Sequence, residues 1–236
     1  MSKSYSELDA DAVLKTVRAL GRRVAERFPD AGLRGVCRTL EEVCAESTAH
    51  LAAIRRPIWP LRIASGLLLL IVAALTILSV VNIRVSDEAF LLPNFVDIVQ
   101  NIIQDLVYLA IGVFFLVRLE TTIKRHRVSR IIHQLRSIAH VIDMHQLTKD
   151  PHRVLNKNLV TTASSPVVTL TPFLLRRYLD YCSEMLSLTG KIAALYLKDF
   201  DDPATVAAVT EIEELTTGLS RKIWQKITAL PPETDE

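Results

Sequence analysis

The residues best equipped for chemistry sit inside an otherwise apolar stretch. Asp97, Gln100, Asn101, Gln104, Asp105 and Tyr108 recur at spacings of one, three and four residues. At 100° per residue a helix gathers them, with Gly112, on one face. Ile102, Ile103, Leu106, Val107 and Leu109 then fall largely elsewhere. Carboxylates, amides and a phenol in such a row are the groups that line ion or proton pathways in membranes. A polar face in lipid also needs hydrogen-bond partners for its own sake. Three readings of Asp105 follow. It lies toward the outer leaflet and bonds Ser79, Asn82 or another copy of the chain; it lines a water-filled pathway; or the helix inserts halfway, its polar face among the outer headgroups. An Asp at mid-membrane costs roughly 2.5–3.5 kcal/mol and less near the surface, so the first reading asks least of the chain.

The other reactive side chains are less promising. His126, His133 and His140 recur every seven residues, about 10 Å apart on a helix, too far to share a metal. With Val128, Leu135 and Ile142 at core positions, these histidines occupy the outermost face. A solvated polar stripe is expected there, a histidine-based pH sensor being the alternative. His145 and His152 are too irregularly placed to complete a site. Cys37, Cys44 and Cys182 are odd in number and lack metal-site spacing. They read as small buried apolar residues in a reducing compartment. Asp199, Asp201 and Asp202 read as a turn with a helix cap, and Glu211, Glu213 and Glu214 suit the positive end of a helix dipole. No Gly-rich phosphate loop, G-x-S-x-G, H-E-x-x-H or zinc-spaced Cys pair is present. The expectation is therefore no enzyme, no metal and no cofactor. With 28 Lys and Arg against 26 Asp and Glu, net +2, there is no global charge argument for nucleic acid.

The elements that must hold these residues begin with two apolar blocks, Ile63 to Ile83 and Ile98 to Val117, in a chain of 236 residues that is 50% hydrophobic. The first carries no charge, and its core reads LLLLIVAALTILSVV with thirteen Leu, Ile or Val residues across the block. About 20 residues at 1.5 Å each cross a hydrocarbon core of about 30 Å, and insertion is favourable by several kcal/mol. Trp59 and Arg62 stand before it as interfacial anchors. Pro57 and Pro60 sit where a helix start tolerates proline. In the second block Leu106 to Val117 spans only about 18 Å, so the helix must begin near Ile98 and carry its polar face into the bilayer. The first 50 residues are charged and helix-patterned, so no cleavable signal peptide is expected.

Orientation follows from the flanks. Arg55 and Arg56 precede the first block; Arg118, Lys124, Arg125, Arg127 and Arg130 follow the second, with Glu120 the sole acid among them. The loop between, RVSDEAFLLPNFVD, has one Arg against Asp87, Glu88 and Asp97. Lys and Arg stay in the cytoplasm, which places both termini there. Arg55, Arg56, Arg62, Arg118, Lys124, Arg125, Arg127 and Arg130 thus form a topology-setting cluster. Anionic lipid headgroups are a further expected partner of it.

The remaining chain is helix-patterned. Ser4 or Ser6 followed by Glu7 or Asp9 resembles a capping box. The apolar stripe Val13, Val17, Leu20, Val24, Phe28 leads to a break at Pro29 to Gly32. A second stripe, Leu33, Val36, Leu40, Val43, Ser47, Leu51 and Ile54, is a heptad-like seam. The second membrane helix is expected to run on to about Leu147 through Val128, Ile131, Leu135, Ile138 and Ile142, and Asp150-Pro151 to stop it. A Ser/Thr-rich loop follows, with a short extended piece at Val167 to Leu170. Thr171-Pro172 and Asp202-Pro203 each read as a helix cap with proline in the first turn. Their stripes are Leu175, Tyr178, Cys182, Met185, Ile192, Tyr196 and Val206, Val209, Ile212, Leu219, Ile223, Ile227. The pair makes an αα-hairpin that must dock on a third helix, most simply the one leaving the membrane.

The sequence thus predicts an all-α integral membrane protein, a two-pass transmembrane helical hairpin with cytoplasmic N-terminal helices and a C-terminal helical bundle or coiled coil. Its parts are 1–57 (two amphipathic helices), transmembrane helix 58–83, extracytoplasmic loop 84–97, transmembrane helix 98–118, and 119–236 (helix 119–147, loop 148–171, helices 172–198 and 203–230). The expected partners are the bilayer of the cell inner membrane and proteins, further copies of the chain included, with no nucleic acid. The expected role is a scaffold, sensor or accessory subunit. The alternative is a homo-oligomeric channel or transporter subunit in which Asn101, Gln104, Asp105 and Tyr108 line the pathway.

Overall fold

A computed structural model describes residues 7–82, 92–156, 162–165, 169–198, 200 and 202–231. Within helices, the side chains of 55, 76, 79–82, 92–95, 97–98 and 101–102 lie outside that description. The described residues are all-helical, with seven helices: α1 (Ala10–Arg27), α2 (Gly32–Arg55), α3 (Trp59–Asn82), α4 (Leu92–Leu147), α5 (Pro151–Leu155), α6 (Pro172–Ala194) and α7 (Pro203–Thr228). The chain forms two compact units, Met1–Arg55 with Arg127–Glu236, and Arg56–His126.

In the first unit the helix boundaries follow local chemistry. Asp9 caps α1 by accepting from the Asp11 N–H at 3.1 Å. The expected Ser4 and Ser6 fall outside the described residues, so the cap lies at the end of the anticipated capping box. Asp150, Thr171 and Asp202 cap α5, α6 and α7, each with proline in the first turn. Asp150-Pro151 therefore does more than stop α4: it starts the short helix α5 inside the stretch 148–171 expected to be loop. Thr169 and Leu170 are irregular, and 166–168 lie outside the described residues. The α6 helix ends at Ala194, a turn before the expected 198.

The stripes of α1, α2 and α6 and that of 128–142 are buried at every position anticipated. Val206 departs from the pattern, standing 38% exposed in the first turn of α7. The largest difference is α6, buried on most of its circumference through Leu179, Tyr181, Leu186, Leu188 and Ala193 as well as its expected stripe. A helix apolar nearly all round is a central one. It packs most extensively against α7, then against α1 and α2. The αα-hairpin packs through α6 on the N-terminal pair, where Phe28 fits edge-on against Tyr178 (5.4 Å) and Tyr181 (6.1 Å). Residues 128–142 of α4 join the same core. They reach α7 through the Arg136–Glu211 ion pair, and α7 reaches back when Lys226 donates to the Gln146 carbonyl at 2.7 Å.

In the second unit α3 and α4 run antiparallel. Arg62 meets Glu120 and Leu68 meets Gly112: as one number rises the other falls. The α4 helix is already formed at Leu92, before the expected start near Ile98. Two helices are long and apolar enough to cross a membrane. None of the apolar window in either is buried against protein, with Leu70 69%, Leu106 65% and Phe115 65% exposed.

Candidate functional site

The polar face of α4 is only partly a constellation. The side chains of Asp97 and Asn101 lie outside the described residues, as do Ser79 and Asn82, the expected partners of Asp105. Gln104 spends a donor within its own helix, giving Nε2–H to the Tyr108 hydroxyl at 3.0 Å. This i,i+4 bond quenches part of the face without a second helix. Asp105 and Tyr108 are exposed. Further along the same face, Gly112 turns toward α3, where an added Cβ would stand 3.0 Å from Leu68 Cδ2. Small residues at such contacts let membrane helices approach.

The basic cluster resolves into members with different surroundings. Arg56, Arg118, Arg127 and Arg130 are exposed; the Arg118 guanidinium lies 5.1 Å from the Phe114 ring centroid. The Arg55 side chain is outside the described residues. Lys124 and Glu120, one helical turn apart, form a half-buried pair at 2.9 Å, and Arg62 approaches the same carboxylate at 3.7 Å. The Ile58 backbone N–H is directed at it too. The Ile58 carbonyl accepts from Leu61 and Arg62 and so begins α3. Glu120 therefore ties the start of α3 to α4. The Lys124 ammonium, ahead of the opposing desolvation, holds the Glu120 carboxyl below the usual carboxylate range. This knot was half legible: the Glu120–Lys124 spacing is a helix-pair signal, whereas the Arg62 partnership requires two segments far apart in sequence to meet.

The first unit offers little for catalysis. Its three cysteines are free and buried. Burial first of all pushes the thiols up, Cys37 and Cys44 to about 11 and Cys182 to about 12, leaving them protonated and inert near neutrality. His133 and His140, like His126 at the end of the second unit, are exposed, as a solvated stripe would be. Asp202 serves as a helix cap; Asp199 and Asp201 lie outside the described residues. Among the described residues no three His, Cys, Asp or Glu side chains gather as a metal site. Tyr196, fully buried, faces Ser47 without an aligned hydrogen bond, the Ser47 proton going to the Val43 carbonyl. A cleft of about 1020 Å³ opens between the start of α1 and the ends of α2 and α6. Its walls mix Asp11, Glu184, Lys191 and Lys198 with Leu51 and Leu188, and sequence reasoning did not anticipate it. Within it the Lys191 ammonium donates to the Ser187 hydroxyl at 2.6 Å, one helical turn away on α6. No protein-family model matches this chain, and no curated protein or solved structure proves similar to it.

Proposed function

We propose that this chain is a two-pass protein of the cell inner membrane, with both termini in the cytoplasm, and that it works by binding proteins. It is a scaffold, sensor or accessory subunit that associates with further copies of itself, not an enzyme. One observation carries the reading: the division of burial between the two units. Residues of the first unit close a continuous apolar core, whereas none of the described residues in the apolar windows of α3 and α4 is buried. Exposed apolar surface on this scale needs lipid or a partner chain. The flanking cations favour the cytoplasmic side for the packed unit. A closed helical bundle offers surfaces, and surfaces bind partners.

Fractionation tests the membrane assignment: the full chain stays in the pellet after high-speed centrifugation and leaves it only with detergent. Recovery in the supernatant overturns it. Terminal tags reached only from outside the cell overturn the orientation. The native mass of the detergent-solubilised particle, with what co-purifies, tests the binding role; a bare monomer in both detergent and bilayer refutes it. The exposed Asp105, beside the Gln104–Tyr108 pair, supports the second reading, a homo-oligomeric ion pathway. Ion flux in liposomes that Asp105→Ala abolishes would favour the pathway; flux untouched by that change counts against it.

A further inference from the structure

We propose that Arg62, set by the Glu120–Lys124 pair and flanked by Trp59, is the recognition residue of a phosphate seat for the headgroup of an anionic lipid at the base of the α3–α4 hairpin. This rests on the membrane reading above and adds to it a site, a residue and a ligand class.

The geometry separates Arg62 from the other cations. Lys124 is 17% and Glu120 18% exposed, and their 2.9 Å contact makes them a fixed, mutually neutralising pair. Arg62 is 60% exposed and meets Glu120 through Nε at 3.7 Å. That distance is an ion pair but exceeds a hydrogen bond. The attraction draws the guanidinium toward Glu120 through Nε, while its two terminal NH2 groups make no hydrogen bond among the described residues. A planar fork with spare donors matches a phosphate bidentately, which an ammonium does not. Trp59 lies one turn earlier on α3 and is 65% exposed; an indole beside an apolar span settles at headgroup depth. Thr121 and Thr122 turn their hydroxyls back onto the Val117 and Arg118 carbonyls, so neither hydroxyl proton is offered to a ligand. Selection among lipids comes from the field. Every phospholipid offers a phosphate, but Arg56, Arg62, Arg118, Lys124 and Arg125 against Glu120 leave a net positive base. That field prefers phosphatidylglycerol to zwitterionic phosphatidylcholine.

The test uses the full chain in detergent, titrated with phosphatidylglycerol, phosphatidylcholine or inorganic phosphate, with bound lipid counted by native mass spectrometry. Phosphatidylglycerol should be retained in preference to phosphatidylcholine, and free phosphate at equal concentration should not displace it. Arg62→Gln should weaken retention about five-fold or more, the value of one surface cation. Arg56→Gln removes the same charge from a residue that forms no ion pair with Glu120 among the described residues, and should cost less. Arg62→Lys keeps the field without the fork and should fall between. Unchanged helicity by circular dichroism keeps the variants comparable. Equal losses from Arg62→Gln and Arg56→Gln, or equal retention of the two lipids, overturn the seat. Displacement by inorganic phosphate overturns the lipid assignment in favour of a soluble phosphate. Failure with the chain still in the membrane pellet sinks this inference alone; a chain found in the supernatant sinks the membrane reading beneath it.

Discussion

Gly190 lies near the end of α6 and Gly218 inside α7, on the two arms of the αα-hairpin, and converting each to alanine should have different effects on stability. Alanine is favoured over glycine in a helix interior by about 1 kcal/mol. A Cβ at Gly218 meets nothing within 4 Å, so Gly218→Ala should keep that gain. At Gly190 an ideal Cβ stands 3.2 Å from Thr216 Oγ1. Thr216 is buried, and its hydroxyl donates to the Ile212 carbonyl at 2.9 Å and toward the Glu213 carbonyl at 3.2 Å. A β-branched side chain so tied cannot rotate aside, so α6 and α7 must separate by a few tenths of an ångström. Overpacking of this kind costs about 1–3 kcal/mol. Gly190→Ala should therefore be neutral to destabilising by about 2 kcal/mol, against a gain of about 1 kcal/mol for Gly218→Ala. For a unit of this size 1 kcal/mol moves Tm by about 2–4 °C. Thermal unfolding in detergent, followed by Trp224 fluorescence in a Trp59→Phe background, would resolve the difference. Adding Thr216→Ala removes the offending oxygen and should recover about 1 kcal/mol of coupling. A Gly190→Ala chain as stabilised as Gly218→Ala would refute the close helix approach.

Three further outcomes are expected. Asp202→Ala removes the cap that accepts from the Thr205 N–H at 3.2 Å and should cost about 1 kcal/mol, read as a lower unfolding midpoint; Asp202→Asn should cost less. The three buried thiols should resist alkylation at pH 8 until denaturant opens the bundle, when three equivalents react. Because their folded pKa values are raised, their contribution is whole below the ordinary thiol value and is lost as pH rises through about 11 to 12; rapid native labelling would contradict this. Desolvation, and then the Lys149 ammonium, hold His145 below its ordinary pKa. The neutral ring is favoured in the fold, so its contribution is present above the ordinary histidine value and lost as pH falls through the lowered one. The unfolding midpoint should drop more between pH 8 and pH 5 in the native chain than in His145→Gln, and parallel curves would reject the assignment.

The sequence by itself determined every helix but the short α5, and most of the inward faces. Period and punctuation are local properties: Asp-Pro and Thr-Pro start helices because the cap oxygen and the fixed proline φ act within one turn. The apolar character of α3 and of the first half of α4 is equally a property of composition. Tertiary structure decided how the helices choose neighbours. That α6 lies at the centre was foreshadowed by adjacent apolar pairs such as Tyr178–Leu179 and Met185–Leu186, yet a wide apolar arc does not say which helices will cover it. The packing of Phe28 between two tyrosines did, since contact depends on shape across more than a hundred residues of separation. Likewise the eight cations of the flanks are equivalent as letters. Only the antiparallel meeting of α3 with α4 puts Arg62 beside Glu120 and sets it apart, because a Coulomb partner is fixed by distance in space and sequence spacing is silent about that.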